Sequence, residues 1–207
     1  MITIIDYNAG NLTSVQLAFE HIGIDVRITQ SPDEILSAER VVFPGVGAAR
    51  SAMQNLRDLG LVEPLKQVVA SGVPFLGICI GMQLLFDSSE ENDGTDCLSL
   101  IDGTVKQFKP SDPAHKIPQM GWNTVKQTAS HPIFDGVEDE SEFYFVHSFY
   151  PSPADSAAMI GQTDYADVSF ASAAAKDNIV AMQFHPERSG RIGLKLLENF
   201  CRWDGKC

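Results

Sequence analysis

A cysteine stands between two glycines in "GICIG", residues 77–81, where an apolar run, "PFLGI" (74–78), gives way to a short apolar helical pattern. Glycine–x–cysteine–x–glycine between a strand and a helix is the thiol form of a nucleophile elbow: the turn is tight, its flanks must be small, and the sulfur of Cys79 stands clear of the sheet. Unpaired N–H groups and the dipole at a helix N-terminus favour a thiolate. The N–H of Ile80 points toward an oxyanion formed on an attacked carbonyl. A buried structural cysteine between two packing glycines gives the same pattern, since free cysteine is often a small core residue. A thiol nucleophile also needs a base. Of the five histidines, His21, His115 and His131 fall in a helix or in loops, where a surface position is the default, whereas His147 and His185 each end an apolar strand. His185 has the stronger case. Pro186 keeps it extended, and residues two apart in an extended stretch share a face. Glu187 can then orient the imidazole and stabilise its charged form, the work of a triad's third member. A turn opening a helix, with Pro and Glu in its first turn, accounts for "HPE" equally well. Finally, Gly45 and Gly47 in "PGVG" free the Val46 peptide to rotate and present its N–H to an oxyanion.

These residues need a frame that brings strand ends together. The first 87 residues alternate strand and helix patterns. "ITII" (2–5), "DVRIT" (25–29), "RVVF" (40–43) and "PFLGI" (74–78) read as strands; Leu12, Val15, Phe19 and Ile22 mark one helix face, and further helices fill 48–59 and 62–71, with Gly72 at a C-terminal cap. "SPDE" (31–34) has Ser31 as N-cap, Pro32 at the first helical position and Glu34 completing a capping box. The alternation predicts right-handed crossovers and a parallel sheet covered on both faces, and the apolar strands suit double-sided burial. A polar loop (88–96) follows, then short strand-like pieces at "GTVKQF", "WNTVKQ", "EFYFV", "AAMIGQT" and "VSFASAA", separated by turn residues that include Pro151. "NIVAMQF" (178–184) is another apolar strand, and a last helix carries Ile192, Leu196, Leu197 and Phe200. The fold class is therefore α/β: one domain over 1–207, a mostly parallel sheet with helices on both faces and an antiparallel extension. Ligands of such sheets bind beyond the carboxyl ends of the strands, where "PGVG", "GICIG", "VHS" and "HPE" all lie.

Composition narrows the partners. Forty-four per cent hydrophobic residues and a net charge of −12 suit a globular protein and disfavour nucleic acid or anionic membrane, which need clustered Lys and Arg. No run approaches the length of a membrane span, and "MITIIDYNAG" lacks the basic start of a signal peptide. The four cysteines form no C-x-x-C pair, so a reducing, cytoplasmic setting is expected.

Taken together, "DYNAGNLTSV", "FPGVGAA", "GICIGMQLLF", "PQMGWN", "YFVHSFY" and "QFHPERSG" resemble the class I, triad-type glutamine amidotransferases almost end to end. "PGVG", "MGWN" and "YFVHS" point within them to the glutaminases of imidazole glycerol phosphate synthase in histidine biosynthesis. The resemblance implies Cys79 as nucleophile, His185 as acid–base and Glu187 as its orienter, with an oxyanion hole at the N–H groups of Val46 and Ile80. It implies that Gln83, Glu91 and the backbone around His147 and Ser148 hold the substrate, L-glutamine. It puts Asn11, Trp122, Tyr144 and Arg188 toward a (β/α)₈ cyclase subunit, in a heterodimer that uses the ammonia, and it implies no metal or organic cofactor. One departure is visible: the family leads one to expect lysine after H-P-E, and Arg188 stands there with the charge kept and the donor geometry changed. The rival readings are a glutaminase serving another synthase, which "PGVG" and "MGWN" disfavour, a cysteine peptidase or amidase sharing the elbow, and a non-catalytic flavodoxin-like binding module.

Overall fold

The computed structural model describes residues 1–9 and 12–206. The parallel half forms as the alternation predicts. Strands β1 (Ile2–Ile5), β2 (Val26–Thr29), β3 (Val41–Gly45) and β4 (Phe75–Cys79) are connected through helices α1 (Leu12–His21), α2 (Pro32–Leu36), α3 (Ala49–Asp58) and α4 (Val62–Ala70). Every residue of β1, β3 and β4 is buried, as expected of strands covered on both faces. Gly72 ends α4 in the left-handed region, at φ 83°. One local expectation fails. Ser31 sits before α2 with extended backbone and Pro32 follows it, but its hydroxyl caps no N–H. Glu34 reaches instead to Arg27, 3.6 Å away.

After β4 comes α5 (Ile80–Gln83), a single helical turn. The loop at 88–96 is more ordered than its polarity suggests: β5 (Ser88–Ser89) and β6 (Thr95–Asp96) pair across a 3₁₀ turn. Then follow β7 (Gly103–Gln107), β8 (Gln119–Gln127), β9 (Ser141–His147), β10 (Phe149–Pro153), β11 (Met159–Tyr165), β12 (Val168–Lys176), β13 (Ile179–Met182) and α6 (Gly190–Arg202). The main sheet has nine strands in the order β2-β1-β3-β4-β13-β12-β11-β8-β9. Its first five are mutually parallel, and from β13 onward the pairings are antiparallel. A second sheet, β10-β7-β5-β6, was not foreseen. Pro151, read from the sequence as a separator, lies inside β10; it is tolerated because β10 is the edge of that sheet. Two further expectations are corrected. Ile192 is exposed while Leu196, Leu197 and Phe200 are buried, and His131 is a core residue, 5% exposed. Its Nδ1 accepts the Ile133 N–H and its ring meets Trp203 edge-on, so burial pushes its pKa down to about 4.

Candidate active site

The end of β4 is the strained corner that a nucleophile elbow requires. Cys79 has φ 55° and ψ −112°, a region that non-glycine residues rarely occupy. The glycines on either side are there for space: a Cβ on Gly81 would run into the Phe43 carbonyl of β3, and one on Gly77 would crowd Leu85 and Met82. Parallel pairing sets Gly45 beside Cys79, bringing the "PGVG" loop to the same edge. Its two glycines serve different ends. Gly47 has φ 98° with open space around it, a conformational requirement. A Cβ on Gly45 would strike the hydroxyl of Tyr7, a fully buried residue that donates to the Pro44 carbonyl at 2.8 Å. The structure thus accounts for Gly45 by close packing and for Gly47 by conformation.

His185, three residues beyond β13, is extended at φ −101° and ψ 94°, and Pro186–Arg188 then form a 3₁₀ turn. Glu187 therefore lies in a turn and not in extended chain as the sequence suggested, and the turn places its Oε1 2.8 Å from His185 Nδ1, with both side chains buried. Burial works against a charge on His185. Hydrogen-bonding attraction to Cys79 and Glu187, and the negative charge of each, outweigh it and push the imidazole up to about 10. Nε2 is buried and has no partner within strict hydrogen-bond geometry, while the Cys79 sulfur lies near enough to raise the imidazole through both hydrogen-bonding attraction and charge. The backbone of His185 is pinned from both sides: its N–H donates to the Tyr144 carbonyl at 2.9 Å, and its carbonyl accepts from Ser189 Oγ at 2.6 Å. Ser189 Oγ in turn accepts the Tyr144 N–H at 3.0 Å.

A cavity of about 330 Å³ opens over this corner, within the range of small-molecule sites. Cys79, Ile80, His185, Val46, Gly47, Gln83, Glu91, His147 and Ser148 all line it. Glu91 accepts the Ala49 N–H at 2.6 Å, which holds its carboxylate at the rim. Gln83 donates from Nε2 to the Phe149 carbonyl (3.0 Å) and to Gln183 Oε1 (2.9 Å), leaving Oε1 buried and without a partner. Such an orphaned acceptor suits a ligand N–H. His147 packs among Phe108, Phe145 and Phe170 and its Nδ1 lies 2.7 Å from the Phe149 carbonyl; burial drives its pKa down to about 4.

Of the positions assigned to a partner, Trp122, Tyr144 and Arg188 are not among the residues that line the cavity. Trp122 is 55% exposed on β8, directly across from Tyr144 on β9, and their rings meet edge-on at 6.2 Å. The guanidinium carbon of Arg188 sits 5.1 Å over the Tyr144 ring. A planar guanidinium stacks on an aromatic face better than an ammonium does, which gives the arginine a local role. Asn11 lies outside the described residues. Sequence reasoning missed Phe149, whose carbonyl organises the cavity wall, and Gln183, which reaches Cys79. A sequence signal existed for Gln183: it stands two residues before His185 in the run read as a strand, the same offset that singled out Glu187.

A cysteine on a strained elbow, a histidine driven toward its charged form beside it and a carboxylate on the far nitrogen form, at a ligand-sized cavity, an arrangement of the kind that can supply a nucleophile, a base and its orienter. Residues 3–203 match the family described as Glutamine amidotransferase class-I. The chain is 50% identical over 200 residues to the "Imidazole glycerol phosphate synthase subunit HisH" of Dehalococcoides mccartyi (strain ATCC BAA-2266 / KCTC 15142 / 195), covering 97% of this chain and 96% of the relative. Proteins of the same name from Nitrosococcus oceani (47% over 206 residues; 99% and 98% covered) and Methanocaldococcus jannaschii (48% over 200; 97% and 98%) are similarly close. Among solved structures, "Crystal structure of glutamine amidotransferase" superposes with a TM-score of 0.76 at 13% identity, covering 99% of this chain and 100% of that one. "Structure of PurLQS from Thermotoga maritima" gives 0.75 at 16%, covering 97% of each, and at such identities the likeness speaks for the fold.

Proposed function

The chain belongs to the class I glutamine amidotransferase family, and from that premise we infer that it hydrolyses glutamine as the glutaminase subunit of imidazole glycerol phosphate synthase, in histidine biosynthesis. The observation that carries this reading is the 50% identity, over 97% of the chain, to a relative bearing that subunit's name. The whole chain, 1–207, works as one glutamine amidotransferase domain. A glutaminase subunit requires a partner subunit to use its ammonia. We take that partner to be the cyclase, bound as a heterodimer in the cytoplasm through Asn11, Trp122, Tyr144 and Arg188. The surface cluster of Trp122, edge-on to Tyr144, and Arg188 over the Tyr144 ring supports such a surface, and no helix among the described residues is long and apolar enough to cross a membrane.

In this reading, glutamine lies in the cavity with its α-ammonium toward Glu91, an N–H on the orphaned Oε1 of Gln83, and its backbone contacts at His147 and Ser148. His185 Nε2 holds the proton of Cys79, sustaining a thiolate–imidazolium pair, and the sulfur attacks the side-chain amide carbon. The oxyanion that forms is held by the N–H groups of Val46 and Ile80, on the glycine-bounded loop and at the elbow. Protonated His185, steadied by Glu187, gives its proton to the nitrogen, ammonia leaves, and a glutamyl thioester remains. Water deprotonated by His185 then attacks the thioester, releasing glutamate and returning the proton to sulfur. Ammonia that reached solvent would be trapped as ammonium, so a docked subunit that excludes water gives the chemistry its direction.

The test is glutamate release by the isolated chain, by the chain with the cyclase subunit, and by that complex with the cyclase's nucleotide ligand. The isolated chain is expected to be slow and the liganded complex fast, with the Val46 peptide as the element the partner biases. Equal rates in all three would overturn the gating. Preferential hydrolysis of peptides or other amides over glutamine would overturn the assignment.

A further inference from the structure

Gln183 is fully buried and its side chain reaches the reacting sulfur: its Nε2 donates to Cys79 Sγ at 3.8 Å, a long contact within the reach of a large sulfur acceptor. The direction of that amide is fixed from the far end of a short chain of groups. The Phe149 carbonyl can only accept, and it takes a hydrogen bond from Gln83 Nε2. The second hydrogen of that nitrogen goes to Gln183 Oε1. Turning Gln183 over would set two NH₂ groups face to face, and turning Gln83 as well would set two oxygens against each other at Phe149. The carbonyl end cannot turn, so the hydrogens of Gln183 must face Cys79.

We propose that Gln183 is a positioning residue for the nucleophile, holding the Cys79 sulfur at the elbow with an amide N–H and favouring its proton-free state. This rests on the reading of Cys79 as the nucleophile. A hydrogen bond to an ionised acceptor is stronger than one to a neutral acceptor, so a donor aimed at sulfur from a water-free position favours thiolate over thiol. The proton leaves to His185, the sulfur lone pair forms the bond to the amide carbon, and the negative charge moves to the carbonyl oxygen. Gln183 therefore acts before bond formation, on how often the sulfur is ready, and hardly at all on glutamine binding.

Three variants in the full chain, assayed with its partner subunit, test this. Gln183→Leu and Gln183→Met keep an apolar filling without a donor. Each is expected to lower kcat about tenfold or more with KM within about twofold, the loss of one hydrogen bond to a charged group. Iodoacetamide should alkylate Cys79 more slowly in the same proportion, and the acidic limb of the kcat/KM profile should move to higher pH. Gln183→Glu keeps the acceptor for Gln83 and puts a carboxylate against the sulfur. It should be worse than Gln183→Leu at alkaline pH and recover at mildly acid pH, where a protonated carboxyl donates again. Should Gln183→Leu unfold by circular dichroism, Gln183→Met, with nearly the native volume, carries the comparison. Wild-type turnover and alkylation in the donorless variants, or a loss confined to KM, overturn the proposal. Cys79→Ala is run alongside: if it still hydrolyses glutamine, the nucleophile reading fails, and if it is dead while the Gln183 variants are unaffected, only this inference fails.

Discussion

Strands β9 and the β13 extension end in the same residue and teach opposite lessons. His147 and His185 are both buried, both follow apolar strands and both line one cavity. Each has its Nδ1 within hydrogen-bonding distance of an oxygen: the Phe149 carbonyl at 2.7 Å for His147, the Glu187 carboxylate at 2.8 Å for His185. Yet burial pushes His147 down to about 4, the carbonyl recovering only part of the loss and nearby His185 adding to it. For His185 burial also works against the charge, but Cys79 and Glu187 override it and the imidazole rises to about 10. A carbonyl orients a ring; a carboxylate orients it and also compensates its charge. Position at a strand end therefore does not make a base, and the residue two places on decides.

The contrast is broken most directly by removing each ring. His185→Ala, like Cys79→Ala, should reduce glutamine hydrolysis by about 10⁴-fold or more, as for the nucleophile or base of other triads. His147→Phe, which suits the aromatic nest, should cost about tenfold or less and act mainly on KM, since only its backbone is assigned to the substrate. Steady-state glutamate assays on folded variants decide; comparable losses from the two histidines would erase the distinction. Glu187→Gln keeps a polar group beside His185 and removes the charge, so a loss on the order of 10³-fold is expected, between those two extremes. A drop as small as that of His147→Phe would mean that orientation alone suffices.

A smaller effect lies in the fourth group of the cavity. Val46→Pro removes one N–H of the oxyanion pair and should lower kcat by about 10²–10³-fold with little change in glutamine affinity. Equal losses in binding and turnover would make the loop a pocket wall only.

The smallest expected effect, and the one that sharpens the comparison without any substrate, is in stability against pH. His147 and His131 have folded values near 4, below that of the unfolded chain, so the unfolded state binds more protons as pH falls from 6.5 toward 4. Stability is lost on the acid side through that window, by up to about 1.4 kcal/mol per pH unit for each fully shifted group. The raised value of His185 works the other way: its contribution is complete below the unfolded value and is lost as pH rises through about 10. Chemical denaturation across pH should show His147→Phe flattening the acid limb and His185→Gln flattening the alkaline limb. Both variants flattening the same limb would contradict the assignment of charges.

What the sequence carried was what depends on near neighbours along the chain. Apolar runs punctuated by helices gave the parallel half, because a strand buried on both faces has no polar side to show. The elbow was legible because its turn admits only glycine at positions 77 and 81; an offset of two singled out Glu187, although the chain there makes a 3₁₀ turn and it is the turn that brings the carboxylate to His185. Ser31 shows the limit even of local rules, since a cap that the spacing allows was passed over for a contact between Glu34 and Arg27 on the neighbouring strand. His131 was misplaced for a related reason: a loop position says nothing about what folds over it, and Trp203 does.

Tertiary structure alone decided the rest, because those contacts join residues whose order in the chain carries no sign of their meeting. Tyr7 reaches Pro44 across 37 positions and explains Gly45. Arg188 finds the Tyr144 ring, and Gln183 finds Cys79 across 104 positions. The sequence determined which residues could form a thiol–imidazole–carboxylate line, through short-range sterics and strand periodicity. Packing decided which histidine keeps its proton, since that depends on how much water is removed from each ring and whether a negative charge is folded in with it.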